Sequence, residues 1–178
     1  MLQLYALECF LDRIAVSAHA KNLVLKGGVL LAAYDLRNPT RDADLLAQNV
    51  DGERGAVLAL IKDVMSAARD DGCVYGEATA EVIREDDEYQ GIRVRIPCTL
   101  AGAQLTFHVD VNVGDPIWPL PSTVKIGRLL GGSISVRGYP LSMVFADCDG
   151  RAKRPTRGRE TSPTYIFCPR PKRSPLTS

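Results

Sequence analysis

Apolar residues at helical spacing open the chain. Leu4, Leu7, Leu11, Ile14, Ala15 and Ala18 recur every three or four positions, which predicts a first helix. Leu23-Val24-Leu25 follows as a short buried strand. Gly27-Gly28 then turns the chain into a second, short helix near residues 29–36, and 42–46 read as another strand. Residues 53–69 carry Val57, Leu60, Ile61, Val64 and Ala68 on one face, an amphipathic helix that ends at Asp71-Gly72. Beyond it the period shortens to two. Residues 74–84 give a weak strand, and Ile92, Val94, Ile96 and Cys98 alternate with Arg93 and Arg95 in a better one. The strongest spans 105–113. There Leu105, Phe107, Val109, Val111 and Val113 point one way, and Thr106, His108, Asp110 and Asn112 the other. Helices precede and cover one mixed or antiparallel sheet, so the fold class is α/β (α+β), a mixed sheet flanked by helices.

Composition divides the chain once. Residues 1–146 read as a single domain with a sizeable core. From Asp147 the sequence turns rich in Pro, Ser, Thr and basic residues, with eight Lys or Arg against three acids and no usable period. Residues 147–178 therefore read as a basic, disordered tail. A net charge of +1 gives no general pull toward nucleic acid or membrane. No apolar run is long enough to span a bilayer. The N-terminal segment, interrupted by Glu8, Asp12 and Arg13, does not resemble a signal peptide. Five cysteines without a CxxC pair fit reduced thiols in the cytoplasm better than a disulfide frame or a zinc site.

The candidate chemistry lies early. Lys26-Gly27-Gly28 is followed by an apolar run and then by Arg37-Asn38-Pro39-Thr40-Arg41-Asp42-Ala43-Asp44. On an extended segment Asp42 and Asp44 share a face. They offer the carboxylate oxygens that Mg²⁺ takes, usually alongside substrate phosphates. Asp110 lies on the polar face of the strongest strand. Where that strand runs beside the Asp42–Asp44 segment, three carboxylates converge and can hold the two cations that clamp a phosphoryl transfer. Glycines let backbone approach phosphate oxygens closely, and the N-terminus of the next helix offers free N–H groups. Lys26, Arg37 and Arg41 add positive charge for a nucleoside triphosphate (NTP). Each piece has a plainer meaning alone: a turn, a solvated loop, a polar residue on a wet sheet face. The order strand, Gly-Gly, helix, Asp-x-Asp and distant strand aspartate carries the argument. His108 reads as structural or solvent-facing, and Asp115-Pro116 as a turn.

That order resembles the nucleotidyltransferase superfamily with the polymerase-β-like core. More narrowly, Lys26-Gly27-Gly28 with Arg37-x-x-Thr40-x-Asp42-x-Asp44-Leu45 resembles the AbiEii/AbiGii toxin family, which includes the mycobacterial toxins called MenT. His108-Val109-Asp110-Val111 with Gly114-Asp115 is similar to that family's third-carboxylate strand, and Tyr139-Pro140-Leu141 to its Tyr-Pro turn. The likeness covers residues 20–146. It implies a cytoplasmic toxin of a toxin–antitoxin pair, an Mg²⁺-dependent enzyme that moves a nucleotide, a pyrimidine in the MenT-like members, from NTP to the 3′ end of tRNA and so blocks translation. It implies an antitoxin partner, Asp42, Asp44 and Asp110 as metal ligands and catalytic residues, Asp110 assisting deprotonation of the acceptor hydroxyl, and Gly27 and Gly28 cradling the triphosphate.

The chain also departs from the pattern. The family's helix after Tyr-Pro carries a Glu-Lys pair; here Met143–Ala146 opens such a helix and Asp147-Cys148-Asp149-Gly150 breaks it, leaving the lysine absent. Codons for Arg159–Phe167 can be read in another frame as Arg-Asp-Phe-Ala-Asp-Ile-Tyr-Leu, a family-like helix, which suggests a frameshifted C-terminus. Thr40, two residues before Asp42, suits regulation by phosphorylation, since a phosphate there would place up to two negative charges where the triphosphate must bind. Arg93, Arg95, Lys125, Arg128 and Arg137 are candidates for an RNA-facing surface. The alternatives are a catalytically degenerate relic that only folds or binds its antitoxin, and a small-molecule nucleotidyltransferase of the aminoglycoside-modifying kind.

Overall fold

A computed structural model describes residues 1–34, 40–83, 91–140 and 142–143. Helix α1 (Leu2–Val16) is followed by β1 (Leu23–Lys26), α2 (Gly27–Ala33), β2 (Ala43–Ala47) and α3 (Arg54–Ser66). Strands β3 (Cys73–Tyr75), β4 (Thr79–Val82), β5 (Gly91–Leu100), β6 (Ala103–Val113), β7 (Ser122–Gly127) and β8 (Ser133–Gly138) complete the order. They form one eight-stranded sheet in the order β3-β5-β6-β2-β1-β8-β7, with β4 also paired to β5. The β2–β6 and β1–β8 pairs are parallel and the rest antiparallel. A mixed sheet with helices is the expected class.

The expected apolar faces are the buried ones. Leu7, Leu11 and Ile14 of α1 are buried, as are Val57, Leu60, Ile61 and Val64 of α3 and Phe107, Val109 and Val111 of β6. Helix α1 packs on β5, β6 and β8, α3 on β4, β5 and α1, and α2 on β1, β2 and β7. Phe10 of α1 meets Phe107 of β6 with ring centroids 5.7 Å apart.

Three details differ from the pattern-based expectation. Helix α3 stops at Ser66 and not near 69, with Ala67 extended. Arg69 reaches back to Asp12, and Asp71 to Arg13, so ion pairs with α1 draw the chain out of the helix. The weak strand at 74–84 is two strands. Pro97 of β5 has no N–H to give that ladder; opposite it the partner chain swings out between β3 and β4, held by the Gly76 N–H on the Pro97 carbonyl at 2.8 Å. The β7–β8 hairpin has no counterpart in the expected elements. The tail at 147–178 lies outside the described residues.

The β5–β6 hairpin sets the register on which the candidate site depends. Its two-residue turn, Ala101-Gly102, has φ of 49° and 80°, the left-handed pair that suits strand twist. Leu100 therefore faces Ala103, and further along Arg93 faces Asp110.

Candidate functional site

One register row crosses five adjacent strands. Lys26 on β1 faces Asp44 on β2, Asp44 faces Asp110 on β6, Asp110 faces Arg93 on β5, and Arg93 faces Glu81 on β4. Side chains at matched positions share a face of the sheet. Two carboxylates thus stand side by side at the centre with a cation beyond each. Asp42, just before β2, reaches across to β6, where its Oδ1 accepts the His108 N–H at 3.1 Å and lies 3.4 Å from His108 Nδ1. The structure brings Asp42, Asp44 and Asp110 to one face.

Gly27 and Gly28 close on this row. Gly27 has φ +66°, and a Cβ there would lie 2.0 Å from Asp44 Oδ2. The Gly28 N–H lies beside the Asp44 carboxylate and favours its charged form. A Cβ on Gly28 would lie 2.4 Å from Thr40 Cγ2. The glycine bend is thus moulded to Asp44 and Thr40, and one N–H expected to be free for phosphate serves Asp44. Thr40 Oγ1 donates to the Asp42 carbonyl at 3.0 Å.

The charges are not balanced. Burial raises the Asp44 pKa first, and Asp110 and Asp42 raise it further; Lys26 and the Gly28 N–H oppose this without cancelling it. Asp110 is held at both oxygens by Arg93, with Nε–Oδ1 at 2.8 Å and Nη2–Oδ2 at 2.7 Å. That hydrogen bonding and charge push the Arg93 pKa above its ordinary value. Lys26 Nζ is 3.6 Å from Asp115 Oδ2 and 5.9 Å from the centre of the Tyr139 ring. Asn112 Nδ2 donates to the same Asp115 oxygen at 3.1 Å. Asp115 is therefore a neighbour of the site and more than the turn residue its sequence context suggests. The signal for it is Gly114 (φ +89°), which turns the chain at the end of β6.

Arg41 is exposed and makes no ion pair among the described residues. Arg37 lies outside them. Of the arginines expected to face RNA, Arg93 is bound to Asp110, Arg128 to Glu8 and Asp12, and Arg137 to the Lys21 carbonyl. Arg95 and Lys125 are exposed.

A second group of potential ligands, Cys9, Asp71 and Cys73, brings its ligand atoms within 4.8 Å of one another. Arg13 already caps Asp71 with two N–H groups. Burial raises the pKa of both thiols, which keeps them protonated. That set is a core ion pair with two inert thiols beside it. Cys98 is a third buried free thiol. A cleft of about 660 Å³ lies between α3 and the β3–β4 segment, lined by Lys62, Met65, Tyr75 and Glu77 among others, and contains none of the three aspartates.

A hard-oxygen donor set around uncompensated negative charge fits a divalent cation such as Mg²⁺. The fold is shared with two solved structures of low sequence identity. The chain belongs to the AbiEii family: the model of the nucleotidyl transferase AbiEii toxin, of type IV toxin–antitoxin systems, matches residues 9–147. Among solved structures it is similar to JHP933 from Helicobacter pylori, with 14% identity, a TM-score of 0.55, and 80% of this chain aligned to 52% of that one. It is also similar to a candidate nucleotidyltransferase from H. pylori, with 15% identity, a TM-score of 0.52, and 80% aligned to 54%. The chain thus spans about half the length of these structures. No curated protein matches it. No helix among the described residues is long and apolar enough to cross a membrane.

Proposed function

We propose that this chain is a cytoplasmic toxin that transfers a nucleotide, a pyrimidine by family resemblance, from NTP to the 3′ acceptor end of tRNA with the help of Mg²⁺. The observation that carries the reading is the register match of Asp44 and Asp110 on parallel strands, with Asp42 beside them and negative charge left over. Asp42, Asp44 and Asp110 are the residues that would hold Mg²⁺. When bound, the ion supplies positive charge to the phosphate oxygens.

The rest falls to the protein. In the transfer, the acceptor hydroxyl oxygen bonds the α-phosphorus, the bond from that phosphorus to the bridging oxygen breaks, and pyrophosphate leaves. Asp110 takes the hydroxyl proton on a carboxylate oxygen. Asp44 is fixed for its task by the Gly28 N–H and by the lack of a side chain at Gly27. Lys26, Arg41 and Arg37 offer charge to the triphosphate. Exposed Arg95, on the same face as Arg93, is placed for RNA phosphates.

The partner would be an antitoxin. Phosphorylation of Thr40, which packs on Gly28 and bonds the Asp42 carbonyl, would set charge against both and is our reading of how that partner could act. Mass spectrometry of the co-expressed pair tests this; a Thr40 that stays unmodified in inhibited protein would remove it. The function itself is tested by incubating tRNA, Mg²⁺ and each α-labelled NTP with the protein. Label on the tRNA 3′ end, lost in Asp42→Ala, is the expected result; label undiminished in that variant would overturn it.

A further inference from the structure

Arg93 stands on the open side of the acidic row. Its side chain is 41% exposed, against 19% for Asp110, and both of its bonds go to that one carboxylate. Those bonds occupy both Asp110 oxygens, the same oxygens a shared cation would need. A guanidinium and a divalent cation on one carboxylate repel each other, so a bound cation weakens the hold of Asp110 on Arg93. The other acids near Arg93 are Asp42 and Glu81, each a weaker influence than Asp110. At the far end of the row Lys26 is already tied to Asp115. A metal-bound triphosphate still carries net negative charge, and Arg93, more exposed than Lys26, is the cation of the row that can turn toward it once a metal takes Asp110.

We propose that Arg93 is a transferable cation: its guanidinium holds Asp110 when no divalent cation is bound, and moves to the triphosphate when one takes the carboxylate. The inference rests on the nucleotidyl-transfer reading and adds a triphosphate-binding residue to it. The fork geometry of arginine suits both partners, since carboxylate and phosphate each accept two parallel N–H bonds. Metal binding is thereby coupled to substrate. A cation alone must displace Arg93 and leave it with no strong partner, while a cation with triphosphate gives it a new one.

The test uses Mn²⁺ and inorganic tripolyphosphate as probes, so that neither the base nor the acceptor enters. In Arg93→Gln, Mn²⁺ alone should bind severalfold tighter than in the wild type, because Asp110 is released. Tripolyphosphate in the presence of Mn²⁺ should bind about tenfold weaker, since a charge-assisted fork is lost. Arg93→Lys should fall between. A purely structural arginine would weaken both, and that result, or no change in either, overturns the proposal. A second readout needs no variant. Phenylglyoxal labelling of Arg93 in the wild type should be slow in chelator, faster with Mg²⁺, and slow again with Mg²⁺ and tripolyphosphate; a flat profile overturns it. Asp44→Asn separates the two levels. If that change abolishes Mn²⁺ binding while Arg93→Gln matches the wild type, the transferase site stands and the role of Arg93 falls. If the wild type binds neither probe, both fall.

Discussion

Replacing Gly27 with alanine should damage the site more than the fold. The backbone at Gly27 has φ +66°, and a side chain in that left-handed region costs about 1–2 kcal/mol. The new Cβ would also lie 2.0 Å from Asp44 Oδ2, 2.6 Å from Cγ and 2.8 Å from Cβ. Real contacts do not close below 3.0 Å, so the carboxylate must give way by about 1 Å and lose the Gly28 N–H. An N–H placed to favour a charged group contributes about 1.5–3 kcal/mol. The total is about 3–5 kcal/mol, a fall in Tm of roughly 10 °C for a chain of this size. Gly102→Ala isolates the backbone share: Gly102 has φ +80° and nothing within 4 Å of its added Cβ. Circular-dichroism melts of both variants, with Mn²⁺ titrations of each, should show Gly102→Ala a few degrees less stable with metal binding intact. Gly27→Ala should lose more stability and most of its metal affinity. If the two variants matched in both measurements, the claim that Gly27 exists to seat Asp44 would be refuted.

The remaining expectations can be checked on the same protein. Gly28→Ala presses on Thr40 Cγ2 at 2.4 Å; Thr40→Ser removes that methyl, so the double variant should melt at a higher temperature than Gly28→Ala alone, a coupling of about 1 kcal/mol in a double-mutant cycle. Asp71→Asn leaves Arg13 buried without its counter-ion, both side chains being at most 6% exposed, and should cost about 3–5 kcal/mol in urea denaturation. Burial raises the Asp71 pKa, but Arg13 and the Cys73 N–H more than offset this and leave it below its ordinary value. The stability from this group is therefore present above the unfolded carboxyl value of about 3.9 and lost as pH falls through the folded one. Acid unfolding of Asp71→Asn should be correspondingly less steep below about pH 4. Asp44→Asn removes a half-buried charge that faces Asp110; in chelator its Tm should be no lower than the wild type's, while Mn²⁺ binding is lost. A clear fall in Tm would show that Asp44 serves the fold.

Much of this architecture is legible in the residues. Periodicity alone gives α1, α3, β5 and β6, because each buries one continuous apolar stripe. The β7–β8 hairpin escapes that pattern because three prolines, Pro116, Pro119 and Pro121, precede it and its strands are rich in serine, threonine and glycine. Its signal is the alternation of Val124 and Ile126, and of Ile134 and Val136, on either side of Gly131-Gly132. Sequence pattern can pose the adjacency of Asp44 and Asp110 as a condition, but a parallel pairing between distant strands leaves no local mark that would establish it. Arg93 looks like an RNA-facing residue for the same reason: only the hairpin register shows that it faces Asp110. Asp115 looks like a turn because its partner, Lys26, lies far away in sequence.

The most direct test is a crystal of the protein grown with Mn²⁺ and a non-hydrolysable nucleoside triphosphate, with the metal located by its anomalous scattering. The account requires a peak about 2.0–2.3 Å from carboxylate oxygens of Asp44 and Asp110, with the triphosphate on the Gly27–Gly28 side. A peak at Cys9, Asp71 and Cys73 alone, or a triphosphate bound away from the three aspartates, would contradict it.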